Sequence, residues 1–364
     1  MPGFSTISED TTTFPWAKRT PGSGAVAMIA VGIALLVRWL TGHMSAGAIA
    51  AGSAFTVGFA VFHEALASVL LSMAVTTLGI ASATLVGSLA APWTTMVLVV
   101  VFIAAVNYGL LAALGPTEGW IGQQSGVFVI IASYFAQGPH YAVGRMLVVL
   151  AGGALQIAVF SLFYWLKPKS QEQTDARKRE QIPRRLRELL KCLRNELKLH
   201  GATAEYVARL ALVLLTSTAI YRYFHVRNGY WIPMTALLVL KPHWGHTFSR
   251  GIARMLGTVA GAGIALILAR LLPFPAWVLP TLVVVSAWGC YALQAVNYAA
   301  FSLFITLYIV FLFRFGGFSQ TSAAHIRLVN TVVGGTIALT IDALWKVAGA
   351  RRRLFRAGNA DSVQ

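Results

Sequence analysis

The sequence predicts an all-α polytopic membrane protein with about 12 transmembrane helices in two six-helix repeats of the same orientation. Three observations carry this reading. Hydrophobic residues make up 57% of the chain and charged residues only 11%, against roughly 25% charged in a soluble domain. The mean hydropathy of +0.68 comes from many separate apolar stretches, most of them near the ~20 residues that a helix needs to cross hydrocarbon. Two of these stretches share a motif, R-M-L-V-V-L-A-G-G from Arg145 and R-L-V-N-T-V-V-G-G from Arg327.

Taken in order, residues 1–23 form a short N-terminal segment in which Lys18 and Arg19 precede the first apolar run without a cleavable signal pattern. The first six stretches fall near 24–42, 45–63, 67–90, 92–114, 121–137 and 143–166, giving a membrane unit over 24–166. A basic segment at 167–203 follows, in which Ile182, Leu186, Leu189, Leu190, Leu193 and Leu197 mark one face of a helix otherwise covered by Arg, Lys and Glu. It can lie on lipid heads, pair with a partner helix, or serve as a solvated tether. The second six stretches fall near 206–222, 229–241, 249–271, 275–294, 297–314 and 328–347, a membrane unit over 204–347, and a basic tail occupies 348–364. The stretches at 121–137 and 229–241 are short for full spans.

The repeat rests on spacing. Arginine and the glycine pair keep identical separation in the two motifs, and Leu78-Gly79-Ile80 aligns with Leu256-Gly257-Thr258 at nearly the same offset. Six spans being an even number, such a duplication gives halves of one orientation, related by an axis along the membrane normal. Chance matching among Gly-rich apolar helices is the competing explanation.

The net charge is +17, which raises nucleic acid as a partner. The basic residues gather in the central segment, in Arg351-Arg352-Arg353 and at the ends of apolar runs, which is how topology signals are placed. Anionic lipid is the better partner. Setting both termini on the cytoplasmic side puts the larger share of Lys and Arg there, as the positive-inside rule requires.

No Walker A loop, HExxH, GxSxG or dinucleotide fingerprint occurs, and Cys192 and Cys290 form no CxxC pair. The sequence therefore gives no sign of an enzyme, a cofactor or a metal site.

The candidate site lies in Gly229 to Thr258, GYWIPMTALLVLKPHWGHTFSRGIARMLGT. Lys241, Arg250 and Arg254 crowd beside a short Pro-containing run. Arg250 and Arg254, four residues apart, share a helix face. Guanidinium binds carboxylate bidentately, so the cluster suits an anionic substrate. Lys241 and Arg250 fit equally well as anchors that snorkel to lipid phosphates; Arg254, a turn deeper, fits binding better. Tyr230 and Trp231 can contact an aromatic substrate or anchor at the interface. His243, His246 and Asp342 are the proton-coupling candidates, although Lys346, four residues beyond Asp342, offers a plain ion pair. Gly152, Gly153, Gly257, Gly261, Gly334 and Gly335 read as helix-packing positions.

The stretch Y-W-I-P-M-T-A-L-L-V-L-K-P from Tyr230, with T-F-S-R-G-I-A-R-M-L-G-T from Thr247, G-A-G from Gly261, N-Y-A-A-F-S-L-F-I-T from Asn297 and R-x6-G-G in the last span, resembles the FUSC family of fusaric-acid-resistance-like and aromatic-acid-exporter membrane proteins. The resemblance covers about 215 to 345 and is weak in the first half. It implies a multi-pass bacterial inner-membrane efflux protein for aromatic or other hydrophobic organic anions, driven by the proton gradient. Two features depart from the family pattern. A sizeable soluble domain is lacking, and Thr76 stands where Arg254 would align, so a site would be asymmetric. A homo-oligomer is compatible with the sequence, and nothing in it points to a periplasmic adaptor. The alternatives are a passive organic-anion channel and a non-transporting membrane assembly protein that recruits partners through the amphipathic 182–200 helix.

Overall fold

The computed structural model describes residues 10–42, 44–63, 68–135, 137–166, 187, 191, 201–271, 277–315 and 320–361. Most of the amphipathic 167–203 segment therefore lies outside the described residues. Within them the regular structure is helical: α1 Pro21–Thr41, α2 Met44–Gly58, α3 Val69–Ala90, α4 Thr94–Leu114, α5 Pro116–Ala132, α6 Pro139–Trp165, α7 Gly201–Tyr223, α8 Trp231–Val239, α9 Trp244–Leu271, α10 Val278–Leu293, α11 Tyr298–Phe315 and α12 Gln320–Asp361. The starts are written locally. Pro21, Pro116 and Pro139 open α1, α5 and α6, positions where a missing N–H costs nothing and the fixed φ suits the helix. Gly42 closes α1 at φ 71, in the left-handed region that glycine tolerates.

Seven helices, α1, α3, α4, α6, α7, α9 and α12, are long and apolar enough to cross a membrane, and α2, α10 and α11 are shorter apolar helices. The all-helical architecture suits a helical membrane protein, with seven candidate spans among the described residues against the about 12 expected. The clearest departure is the stretch at 229–241. Its helix α8 has only 9 residues, about 14 Å at ~1.5 Å per residue, where the hydrocarbon is ~30 Å thick. Leu240 is already extended, at ψ 125, and Pro242 disfavours helical geometry at Lys241 before it, so the helix does not resume there.

Packing follows one scheme on each side of the 167–200 segment. In the first six helices α1 packs on α2, α2 on α6, α3 on α5 and α6, and α4 on α5; in the second six α7 packs on α8, α8 on α12, α9 on α11 and α12, and α10 on α11. The two groups clasp each other through α1 against α10 and α4 against α7. Accordingly one apolar core joins Val101 and Tyr108 to Leu214 and Leu237. Another joins Leu35 and Phe55 to Tyr291 and Phe311.

Small residues set the closest approaches. A Cβ on Gly152 would stand 2.3 Å from the Ala50 carbonyl oxygen, and one on Gly334 would stand 2.3 Å from that of Ile232. Gly257 and Gly261 meet the backbone of α11 at Ala299 and Leu303, Gly153 meets Thr77, and Gly335 faces Met255 with ordinary clearance.

Candidate functional site

A cavity of about 1820 Å³ runs between the two groups of helices. Its wall follows the length of α5 at Trp120, Gln124, Val127 and Ile131, a spacing of three and four that keeps one helix face toward the space. It follows α11 from Tyr298 through Phe301, Ile305, Tyr308 and Leu312. At ~1.5 Å per residue these faces extend about 17 Å and 21 Å. The cavity therefore reaches the turn around Gln294–Asn297 at one end and the turns around Phe135 and Arg227 at the other. It is an elongated cavity with walls built largely of aromatic and aliphatic side chains.

Its charges are one-sided. Lys18, Arg145, Arg227, Arg250 and Arg254 line it, with Asp10 as the acid among the lining residues. A low-dielectric wall carrying one sign of charge concentrates counter-ions of the other sign.

The binding candidates are distributed around this space. Arg254 is 1% exposed, lies in the wall, and its Nε has no hydrogen-bond partner among the described residues. Arg250 also lines the cavity, its guanidinium carbon 4.6 Å from the centroid of the Tyr298 ring. Tyr230 and Trp231 line it as well, with ring centroids 5.0 Å apart. Lys241 is turned elsewhere. Its Nζ donates to the Tyr108 hydroxyl at 3.3 Å, and Gln123 donates to the same hydroxyl at 3.2 Å and to the Leu237 carbonyl at 3.2 Å. Burial, and then the nearby Arg250 and Arg254, hold the Lys241 ammonium well below the usual lysine range.

The proton-coupling candidates do not converge on the cavity. His243 and His246 are exposed at the start of α9, with rings 6.3 Å apart. Asp342 is buried and finds its partner across the helix interface: Arg209 Nη1 of α7 donates to its Oδ1 at 2.5 Å, while Arg209 Nη2 donates to the Pro242 carbonyl at 2.7 Å. The sequence had suggested Lys346 within the same helix. A tertiary contact takes that place because α7 packs along α12.

Arg327 is the important residue that sequence reasoning missed, having read it only as a repeat marker. It is 1% exposed, with its guanidinium carbon 4.3 Å from the Trp231 ring centroid and Nε donating to Thr306 Oγ1 at 3.3 Å. Neither terminal nitrogen has a hydrogen-bond partner among the described residues. Its counterpart in the repeated motif, Arg145, also sits over an aromatic ring, 5.2 Å from that of Phe135, but it donates to the Phe135 carbonyl and to Gln137 Oε1 at 2.7 Å each. An arginine within an apolar run, matched by another at equal spacing, was the available signal. His63, stacked on Trp120 at 4.5 Å, and Asp10 are further cavity residues that the sequence did not mark as a site.

Among the described residues no group of His, Cys, Asp and Glu side chains could hold a metal ion.

Residues 215–341 match the family described as fusaric acid resistance protein-like, which bears out the resemblance read from the sequence. An uncharacterized protein of Haemophilus influenzae is 30% identical over 141 residues, covering 38% of this chain and 20% of that protein. The inner membrane protein YccS of Escherichia coli is 29% identical over 165 residues, covering 44% of this chain and 23% of that protein. An uncharacterized ORF2 protein of Neisseria gonorrhoeae is 26% identical over 157 residues, covering 42% and 37%. The aligned parts thus span well under half the length of these relatives. No solved structure matches the chain.

Proposed function

We propose that this chain is a transporter that exports aromatic or other hydrophobic organic anions across the bacterial inner membrane, coupled to protons, through the passage between its two groups of helices. The observation that carries the reading is the pairing of an aromatic wall with an uncompensated cationic interior at Arg254. A buried guanidinium without an acid beside it is costly, and the cost is recovered when a carboxylate enters. Arg254 and Arg250 hold the carboxylate, while Tyr230 and Trp231 meet the apolar body; Lys241, bonded to Tyr108, shapes the turn behind them. The family match and the likeness to an inner membrane protein support the location and the transport class.

In this proposal the twelve helices form two like-oriented repeats, in keeping with the shared packing scheme, and both termini face the cytoplasm against anionic lipid. Asp342 is the buried member of the three proton candidates, and its ion pair with Arg209 is the contact that protonation opens. His243 and His246 stand at the exposed entrance to α9 and receive the proton there.

A second reading, a passive organic-anion channel, draws on the reach of the cavity toward both ends of α5 and α11. Uptake of labelled benzoate by inside-out vesicles, with and without an imposed proton gradient, separates the two. Accumulation above the external concentration supports the exporter. Flux that only follows the electrochemical gradient supports the channel, and no flux for benzoate, cinnamate and salicylate refutes both.

A further inference from the structure

The acid in the cavity wall belongs to the N-terminal segment. Asp10 accepts a hydrogen bond at Oδ2 from Ser249 Oγ in the second turn of α9, and Ser249 is itself fully buried, at 0% exposed. Arg250, the next residue, lines the same cavity, and so do Thr13, Pro15 and Lys18 from the N-terminal segment. That segment is fastened to the last turn of α10 and to the α10–α11 turn. Asn297 Nδ2 donates to the Thr13 carbonyl at 3.1 Å, Thr20 N–H donates to the Ala292 carbonyl at 3.4 Å, and Thr20 Oγ1 donates to the Tyr291 carbonyl at 3.0 Å.

We propose that Ser249 and Arg250 form an entry subsite for a carboxylate at this end of the cavity, occupied in the resting protein by the chain's own Asp10 and opened when an anionic substrate displaces it. The proposal rests on the reading of the cavity as an organic-anion path. A hydroxyl donor and a guanidinium are groups that carboxylates take; the structure already holds a carboxylate against the Ser249 hydroxyl, and Arg250 lines the same cavity. Every other charged residue in the wall is basic, so the aspartate sits where the local field favours any carboxylate, tethered or free. Its advantage is the tether, because a short connection gives an effective concentration of about millimolar or above. A free carboxylate therefore competes when its own concentration approaches that range. Arg250 lies one turn before Arg254 on the same helix face, so a carboxylate released from Ser249 passes by way of Arg250 to the deeper arginine.

The test uses the full chain in detergent with sodium benzoate as the probe and benzyl alcohol as the neutral control. Half-saturation is read from the rise of the thermal unfolding midpoint with benzoate. Asp10→Asn is expected to lower the half-saturating concentration several-fold, and Ser249→Ala added to it to raise it again; benzyl alcohol is expected to show no difference between the variants. Equal half-saturation in wild type and Asp10→Asn overturns the subsite, as does a wild type that benzoate leaves unshifted at every concentration. In a Cys192→Ser background, Asp10→Cys with Ser249→Cys closes the strap under oxidation. Benzoate uptake by vesicles is then expected to stop and to return with reductant, and undiminished uptake in the oxidised form overturns the proposal. If wild-type vesicles take up benzoate while both variant responses are absent, the subsite fails and the transport reading stands. If wild-type vesicles take up no organic anion, the transport reading fails on its own evidence.

Discussion

The guanidinium of Arg327 lies 4.3 Å from the centroid of the Trp231 ring, and its terminal nitrogens find no hydrogen-bond partner among the described residues. A desolvated cation over indole is stabilised by ~2 kcal/mol, which does not replace the solvation that a fully buried guanidinium gives up. Arg327 therefore holds the face of Trp231 in place while adding to the positive potential of Arg254. It acts on the substrate through Trp231 and is a positioning residue in this account.

Replacing Arg327 by Gln should raise the half-saturating concentration for labelled benzoate by roughly tenfold, since each ~1.4 kcal/mol is a factor of ten. Trp231→Leu should do the same. The double variant should be little worse than either single one, because residues that share one contact are not additive. Concentration-dependent uptake by vesicles measures all three.

The Arg209–Asp342 pair predicts a stability cycle. Asp342→Asn leaves a buried arginine without its counter-charge and should destabilise the protein by ~3–5 kcal/mol, whereas Arg209→Met with Asp342→Leu should regain most of that loss. Thermal unfolding in detergent reads the cycle. If the pair carries the proton, the double variant should fold and pass benzoate downhill but no longer accumulate it against a gradient.

Helix approach predicts a contrast between neighbouring glycines. Gly334→Ala would press a methyl group against the Ile232 backbone, and Gly257→Ala against the Ala299 carbonyl and the Ser302 side chain; Gly335→Ala meets Met255 at 3.5 Å and Gly263→Ala meets nothing within 4 Å. The first two should lower stability by ~1–3 kcal/mol. The last two should leave the unfolding midpoint close to wild type.

How much of this was legible beforehand differs by element. The apolar runs that became α3, α4 and α9 could be bounded from hydropathy because membrane helices must satisfy their own backbone. The half-helix α8 was harder, since a Pro-bounded apolar run reads the same whether it spans or stops. Arg254 was legible because its helix and depth follow from local spacing. The contact between Arg327 and Trp231 was not, because it depends on α12 packing against α8, and neither sequence neighbourhood records the other. Asp342 shows the same limit, where a local partner in Lys346 was visible and a distant one in Arg209 was not.

His63 predicts a pH effect. It follows the short 3-10 turn Phe59–Phe62, and burial lowers its pKa from the ordinary 6.5 to about 4. The unfolded chain thus binds its proton more readily than the folded one. The neutral form's contribution to stability is complete above pH ~6.5 and is lost progressively as the pH falls toward ~4. His63→Gln should flatten that part of the acid-side decline in unfolding midpoint, measured from pH 7 to pH 4.

The central claim is that Arg254 receives the substrate carboxylate, and uptake of labelled benzoate into inside-out vesicles under an imposed proton gradient tests it most directly. Wild type should accumulate the acid, Arg254→Ala should lose that accumulation while keeping its unfolding midpoint, and Arg254→Lys should recover part of it. Accumulation by Arg254→Ala equal to that of wild type would contradict the account and return the arginine to a purely structural role.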